Sequence, residues 1–235
     1  MSKKIHSISC LNCSSWNKSV FCDLQSDQLE NIDNHKSSDF YEKGETIFKE
    51  GGFARGLFCV KKGKIKLSKM GPSGKEQIIR FAKDGDIMGY NSMLSKSKLS
   101  STAVALEGSI VCFVPANDFF GLIKSDPNFS LKMLELTAKN WNEASRLITD
   151  MAQKTTKQRL AEMLLWLKET FGLDEENCIN VKLSREEIAN LVGTATEAVI
   201  RLIGELKKEK LISLDGKRIK LLDIHGLAML ANRLE

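Results

Sequence analysis

The sequence predicts an α+β protein in three parts: an N-terminal β-roll of jelly-roll type, a long helix with the spacing of a dimer seam, and a C-terminal winged helix-turn-helix. Three observations predict it. Between residues 40 and 120, short apolar or alternating runs are cut by Gly44, Gly51-Gly52, Gly63, Pro72-Ser73-Gly74 and Gly85, the pattern of a small barrel or jelly roll. From Asn117 to Ala152 the apolar period becomes helical. From Ser184 onward two short helices are joined by a glycine and followed by a hairpin signal.

The totals set the class. With 235 residues, 42% of them apolar and 28% charged, the chain has room for one large or two medium domains with real cores. No apolar run approaches the roughly 20 residues that cross a bilayer, and no signal peptide is recognisable. These readings predict a cytoplasmic protein with no membrane partner. A net charge of +5 with mixed signs neither demands nor excludes nucleic acid. No nucleophile–base set, phosphate loop or carboxylate pair is visible, so the chain does not read as an enzyme.

In chain order, residues 1–24 form a cysteine-rich segment holding Cys10, Cys13 and Cys22. Without a secretory signal, six cysteines do not suggest a disulfide framework. Residues 25–125 form the roll, with LFCVKKGKIKLSK and EQIIRFA as strands and no helix of useful length between 40 and 120. Cys59, in the apolar run LFCV, is expected in the core. Cys178 has no visible partner, and His6, His35 and His225 have no metal-site spacing.

Residues 126–153 form the long helix, announced near Ala116-Asn117-Asp118 and again after Pro127. Leu134, Thr137, Trp141, Ala144, Ile148 and Met151 recur at alternating steps of three and four, the spacing of a coiled-coil seam. The competing reading packs this stripe on the roll. A boundary near Lys154-Thr155-Thr156 then opens residues 154–235.

There, Ser184 and Glu187 form a capping box, and Ile188, Leu191 and Val192 give the first helix its inner face. Gly193 supplies the turn. At about 100° per residue, Val199, Leu202, Ile203 and Leu206 face inward on the second helix, leaving Glu197, Ile200, Arg201, Gly204 and Lys208 outside. Glu197 and Arg201 are also spaced for an ion pair worth about 0.2–0.5 kcal/mol. LISLDGKRIKLL then reads as a hairpin turning at Asp215-Gly216. A winged helix of this kind lays its second helix in the major groove while wing cations meet phosphates. The expected DNA contacts are Ser184, Thr196, Glu197, Ile200, Arg201, Lys217, Arg218 and Lys220.

Roll, long helix and winged helix in this order, with the stretches QRLAEMLLWL and LSREEIANLVGTATEAVIRLIGEL, resemble the Crp/Fnr family of bacterial transcription regulators over essentially the whole chain. The resemblance implies a cyclic-nucleotide-binding-like roll, a homodimer on palindromic double-stranded DNA, and RNA polymerase as a further partner. It also implies that Glu197 and Arg201 read a TTGA- or GTGA-like half-site, in keeping with arginine's bidentate bond to guanine and glutamate's acceptance from cytosine. Ile200 departs from the Ser or Gly usual between them. It can touch a thymine methyl but cannot replace a hydroxyl bond.

The cyclic-AMP branch holds the phosphate with an Arg-Ser pair; here Ser100-Ser101 stands in its place, downstream of Gly85-Asp86. Without the guanidinium, cyclic AMP is not expected, although the serines and Lys98 could serve another small anion. The oxygen-sensing branch, that of the fumarate and nitrate reduction regulator, carries an N-terminal cysteine cluster plus one cysteine in the roll. This chain is similar to it in Cys10-x2-Cys13-x8-Cys22 and in Cys112 of SIVCFVP, although the second gap is longer than usual. The resemblance implies a [4Fe-4S] cluster on Cys10, Cys13, Cys22 and Cys112. The same thiols could hold zinc, or act as a bare redox switch. That branch also places an acidic residue in the dimer seam, where this chain has Ala144.

Overall fold

A computed structural model describes residues 3–4 and 9–232, so His6 lies outside the described residues. The chain forms two compact units. One comprises the residues through Met70 with Ile79–Asn142, the other Gly71–Ile78 with the residues from Glu143 onward.

The first unit is the expected roll. A five-stranded antiparallel sheet has the order β1 (Lys3–Lys4), β2 (Ser37–Tyr41), β9 (Ser109–Pro115), β4 (Gly56–Lys62), β7 (Ile87–Met88). A four-stranded sheet runs β3 (Thr46–Phe48), β8 (Thr102–Ala105), β5 (Ile65–Met70), β6 (Glu76–Ala82). One core cluster includes Val60, Ile65, Leu67, Ala103 and Val111. A second gathers Leu57 and Val114 with Ile32, Phe119 and Phe129 from helices. Alternation along a strand explains this division. Val60 and Val111 turn to the first cluster, whereas Leu57, Cys59 and Lys61 of β4 share the opposite face with Cys112 and Val114 of β9.

Three helices lie in this unit besides the start of the long one: α1 (Ser26–His35), α2 (Tyr90–Leu94) and α3 (Ala116–Ser125). The sequence reading did not foresee α1. Its only buried side chains are Leu29 and Ile32, a single i, i+3 pair too short to display a helical period. Two single-turn 3₁₀ segments, Cys10–Asn12 and Trp16–Lys18, precede it.

The long helix α4 (Pro127–Gln153) begins as predicted. Proline suits the first helical position, and Asp126 accepts from the N–H groups of Asn128 and Phe129 at 2.9 and 3.0 Å. Phe129 and Met133 are its buried residues. Compactness divides the chain inside α4 rather than at its end, because the last turns of α4 have their partners downstream. Arg146 and Lys154 pair with the buried Glu162 at 3.9 and 3.2 Å.

The second unit contains α5 (Thr156–Phe171), α6 (Arg185–Val192), α7 (Thr196–Lys208), the wing strands β10 (Ile212–Asp215) and β11 (Arg218–Leu221), and α8 (Ile224–Leu230). Among the described residues no helix is long and apolar enough to cross a membrane. Cys178 is buried and bridges Lys220 of β11. It is therefore a structural cysteine of the wing.

Candidate DNA-reading surface and cysteine pocket

The first reading helix is built as its sequence dictates. Ser184 accepts from the Glu187 N–H at 3.0 Å, and Glu187 accepts from the Ser184 N–H at 2.8 Å. The Ser184 hydroxyl therefore serves first as a helix cap. Gly193 ends the helix at φ +75°, a conformation only glycine adopts cheaply, and α7 follows three residues later. Val199, Leu202, Ile203 and Leu206 are its buried residues, as the period requires.

The opposite face carries Glu197, Ile200 and Arg201, all exposed. Ile200 leaves 55% of its surface to solvent in the middle of a helix, an unfavourable place for an aliphatic side chain unless something covers it. Arg201 pairs with Glu205 at 3.1 Å, one turn toward the C-terminus, and not with Glu197. Thr196, the first residue of α7, is half-buried.

The wing differs from expectation in two ways. Asp215 pairs directly with Arg218, so the turn residues are Gly216 and Lys217, one position later than the Asp215-Gly216 signal suggested. Gly216 has φ +56° while Lys217 does not have positive φ, which suits a II′-like turn with glycine first. Arg218, read from sequence as a phosphate contact, is instead held by Asp174 at 2.7 Å, Glu176 at 2.8 Å and Asp215 at 3.3 Å. Asp174 foremost, with Glu176, raises its pKa further above the usual arginine range. In the free chain these three pairs fasten Arg218 to the wing and to the loop before it. Lys217 is exposed at the tip and Lys220 is half-buried.

Lys217→Ala should lower the slope of log affinity against log salt by about one. Arg218→Met should leave that slope unchanged while lowering the melting temperature of the protein.

Sequence reasoning missed Arg185, the first residue of α6. Its Nη1 is buried with no hydrogen-bond partner, and desolvation lowers its pKa. A phosphate oxygen at the start of α6 would satisfy that donor.

The cysteine pocket belongs to the first unit. Its lining includes Cys10, Cys13, Cys59 and Cys112, with Lys36 and Lys61. Cys59 and Cys112 are opposed partners across β4 and β9. Cys112 is buried, and Cys59, partly buried, packs against the core cluster of Leu57 and Val114 as expected while also lining the pocket. Over them lies the N-terminal segment, fixed by Ser15 donating to the Lys61 carbonyl and by Ser19 standing 3.9 Å from Cys59 Sγ.

The missed helix α1 supplies the other wall. Asp33 accepts from the Ser9 hydroxyl at 2.6 Å and the Cys10 N–H at 2.9 Å, and Lys36 donates to Asp33 at 2.5 Å and to Cys10 Sγ at 2.9 Å. Burial works against the Asp33 charge, yet Lys36, Ser9 and Cys10 together bring its pKa down to about 2. Burial lifts the Cys10 thiol to about 11, opposed by Lys36. It pushes Cys59 higher still, with added repulsion from Cys112, Cys13 and Cys10. Burial thus favours the neutral thiols of Cys10 and Cys59, and ionising these two together requires a cationic partner.

Cys22 is not among the lining residues. Its thiol lies 3.5 Å from Asp23 and 3.7 Å from the ammonium of Lys132 on α4. Among the described residues, no three Cys, His, Asp or Glu side chains converge as they would on one metal ion. About 30 Å³ is left between the pocket walls, space for one or two waters. The pocket therefore holds thiols of the kind a four-iron cluster takes but, in this arrangement, neither the convergence nor the space to hold one.

On α4 the seam residues Leu134, Trp141 and Ile148 are 68%, 69% and 67% exposed. Thr137 and Ala144 are exposed as well, and Met151 is half-buried. The competing reading, that this stripe packs on the roll, does not hold: Phe129 and Met133 do that. The stripe presents apolar side chains every seven residues.

Residues 39–126 match the cyclic nucleotide-binding domain family, and residues 158–230 the Crp-like helix-turn-helix domain family. Electron transport regulator A of Shewanella oneidensis is 32% identical over 207 residues, covering 87% of this chain and 82% of that protein. The fumarate and nitrate reduction regulatory protein of Escherichia coli is 30% identical over 208 residues, with the same coverage of 87% and 82%. Among solved structures, FixK2 from Bradyrhizobium japonicum superposes with a TM-score of 0.75 at 23% identity, covering 85% of this chain and 99% of that one. A CRP/FNR-family transcriptional regulator from Thermus thermophilus gives 0.70 at 26%, covering 83% and 98%.

Proposed function

Since this chain belongs to the Crp/Fnr family of DNA-binding transcription regulators, we propose that it acts as a homodimer on palindromic DNA and is switched by an oxygen- or redox-responsive iron–sulfur cluster. The observation that carries the sensing half is the pocket itself: four cysteines and a buried lysine enclosed between the N-terminal segment and the roll. A bound cluster would supply an oxidant-sensitive cross-link between those two parts of the chain. A cytoplasmic location and an encounter with RNA polymerase belong to the same reading.

The chain's own contacts link that pocket to the dimer helix. Phe21, which itself lines the pocket, stacks on Phe129 of α4 with centroids 5.8 Å apart. Asp23 pairs with Lys132 of the same helix. Release of the N-terminal segment therefore strips α4 of two partners near its start. The seam begins at Leu134, one residue after the buried Met133, so repacking there reaches the dimer contact. With Ala144 where the oxygen-sensing branch carries an acid, repulsion in the seam is absent at that position. The dimer then persists without the cofactor, and signalling works by reorienting the paired recognition helices.

On DNA, α7 enters the major groove with Glu197, Ile200 and Arg201 toward the bases. Thr196, Lys217 and Lys220 contact the backbone, joined by Arg185 at the start of α6. Ser184 acts mainly by capping α6, which keeps Arg185 in place.

The reading is tested by purifying the protein without oxygen and measuring iron, acid-labile sulfide and the visible spectrum before and after air. The expected result is a coloured, iron-containing protein that bleaches in air, with a parallel change in affinity for a palindromic site. A colourless protein holding zinc would favour the zinc or thiol reading of the same pocket. A protein holding no metal, whose DNA affinity responds to a small molecule, would favour a ligand-sensing roll.

A further inference from the structure

We propose that Gly204 is a DNA contact: at this position the backbone of α7 itself lies against the major groove, and the missing side chain sets how deeply the recognition helix enters. The inference rests on the reading above that α7 carries Glu197, Ile200 and Arg201 toward the bases, and concerns how close the helix comes.

Gly204 is the ninth of the 13 residues of α7, well inside the helix. Glycine there is destabilising relative to alanine, because it loses more backbone freedom on folding. Nothing in the free chain offsets this. Its φ is not positive, and a methyl group placed on it would meet no atom within 4 Å beyond its own stretch of helix. Most glycines of the second unit do have a structural reason. Gly74, Gly172, Gly193 and Gly216 have positive φ, and a side chain on Gly226 would come within 2.4 Å of the Asp223 carboxylate.

Helical periodicity places this gap among the base readers. At 3.6 residues per turn, Ile200, Arg201 and Gly204 stand at about 300°, 40° and 340° around the axis from Glu197, so Gly204 falls inside the arc those readers span. Along the axis it lies about 10 Å from Glu197 at 1.5 Å per residue, still within the roughly 12 Å width of the major groove. The buried set Val199, Leu202, Ile203 and Leu206 occupies the other side. Glycine is the residue that lets a backbone approach a ligand closely. A side chain at 204 would hold the helix away from the base edges by its own thickness, and the readers around it would lose reach.

An idle glycine and a contact glycine differ in their consequences. Either way, Gly204→Ala puts a better helix former where there is room for it, so the melting temperature should rise by about 2–4 °C. Only for a contact glycine is the same methyl group unfavourable on DNA. Gly121 supplies the comparison. It lies inside α3, has no positive φ, and a methyl group on it would likewise meet no atom within 4 Å. It stands in the roll unit and not in the helix-turn-helix. Gly121→Ala should therefore raise the melting temperature in the same way and leave DNA binding as it was.

The experiment compares the full-length protein, purified without oxygen, with Gly204→Ala, Gly121→Ala and Arg201→Ala. Two probes are used: a palindromic duplex selected from random-sequence DNA by the unmodified protein, and a scrambled duplex of the same length and composition. Melting temperature and affinity for each duplex are measured. Gly204→Ala is expected to melt higher and to bind the selected duplex about 10-fold or more weakly. Its affinity for the scrambled duplex should stay within about twofold, because non-specific binding is carried by phosphate charge and not by depth in the groove. Full affinity of Gly204→Ala for the selected duplex overturns the proposal. So does a loss shared equally by both duplexes, an equal loss in Gly121→Ala, or a lower melting temperature for Gly204→Ala, which would give the glycine a structural role. Failure of the unmodified protein to select any sequence, or undiminished selectivity in Arg201→Ala, overturns the reading of α7 itself, a result distinct from an idle Gly204.

Discussion

Trp141→Glu is expected to turn the dimer into a monomer and to abolish binding to a two-fold operator while leaving each protomer folded. Trp141 is 69% exposed in the single chain. A tryptophan offers about 150–250 Å², and covering two thirds of it at about 25 cal/mol per Å² is worth about 2.5–4 kcal/mol per protomer. The substitution removes that gain twice and adds two like charges at facing seam positions. No such charge stands in the native seam, where Leu134, Ala144 and Ile148 accompany it. Sedimentation equilibrium and a melt of the isolated protomer check the two halves of the prediction. A variant that remains dimeric at micromolar concentration would show that α4 is not the pairing surface. Because Trp141 touches neither core cluster, the melt should change little when extrapolated to low protein concentration.

Arg201→Ala carries the second large effect, and it falls on specificity. In the unbound protein Arg201 is engaged with Glu205 at 3.1 Å, with 69% of its side chain exposed. Such an exposed i, i+4 pair is worth only about 0.3–0.5 kcal/mol. A bidentate bond to guanine is worth about 1–3 kcal/mol in discrimination, so the arginine exchanges its partner readily on DNA. With one copy per half-site, the loss for a dimer is about 2–6 kcal/mol if the sites add. Competition binding with operator variants is the measurement. The variant should lose preference at one base pair of each half-site while keeping its discrimination at the others. Unchanged discrimination there would move the reading role to Glu197 or Ile200. The same assay resolves what Ile200 prefers, since its exposed side chain can favour a thymine methyl but can supply no hydrogen bond.

The DNA-reading half was legible almost residue by residue because its signals are local. The Ser184–Glu187 box, the Gly193 turn and the inward set Val199, Leu202, Ile203 and Leu206 each depend on neighbours within one or two turns. Local signals also have limits of resolution. The wing turn fell one residue later than its Asp-Gly signal, since hairpin register is set by how β10 and β11 pair. Arg218 looked like a phosphate contact because it follows a turn beside Lys217. Its three carboxylate partners include Asp174 and Glu176, more than forty positions upstream, and no periodicity reveals such a pairing.

The sensing half shows the same division more sharply. Sequence alone determined that the chain has a roll, a seam helix and a winged helix, and that thiols cluster near its N-terminus, because composition, period and turn residues are properties of short stretches. Only the tertiary structure decided which thiols meet. Cys59 joins Cys112 through strand register, and Lys36 and Asp33 reach Cys10 from a helix too weakly amphipathic to be read. Cys22 lies outside that lining, with its thiol near Asp23 and Lys132. Register, burial and long-range charge pairing are set by which surfaces pack together, and that is fixed only when the whole domain closes around its core.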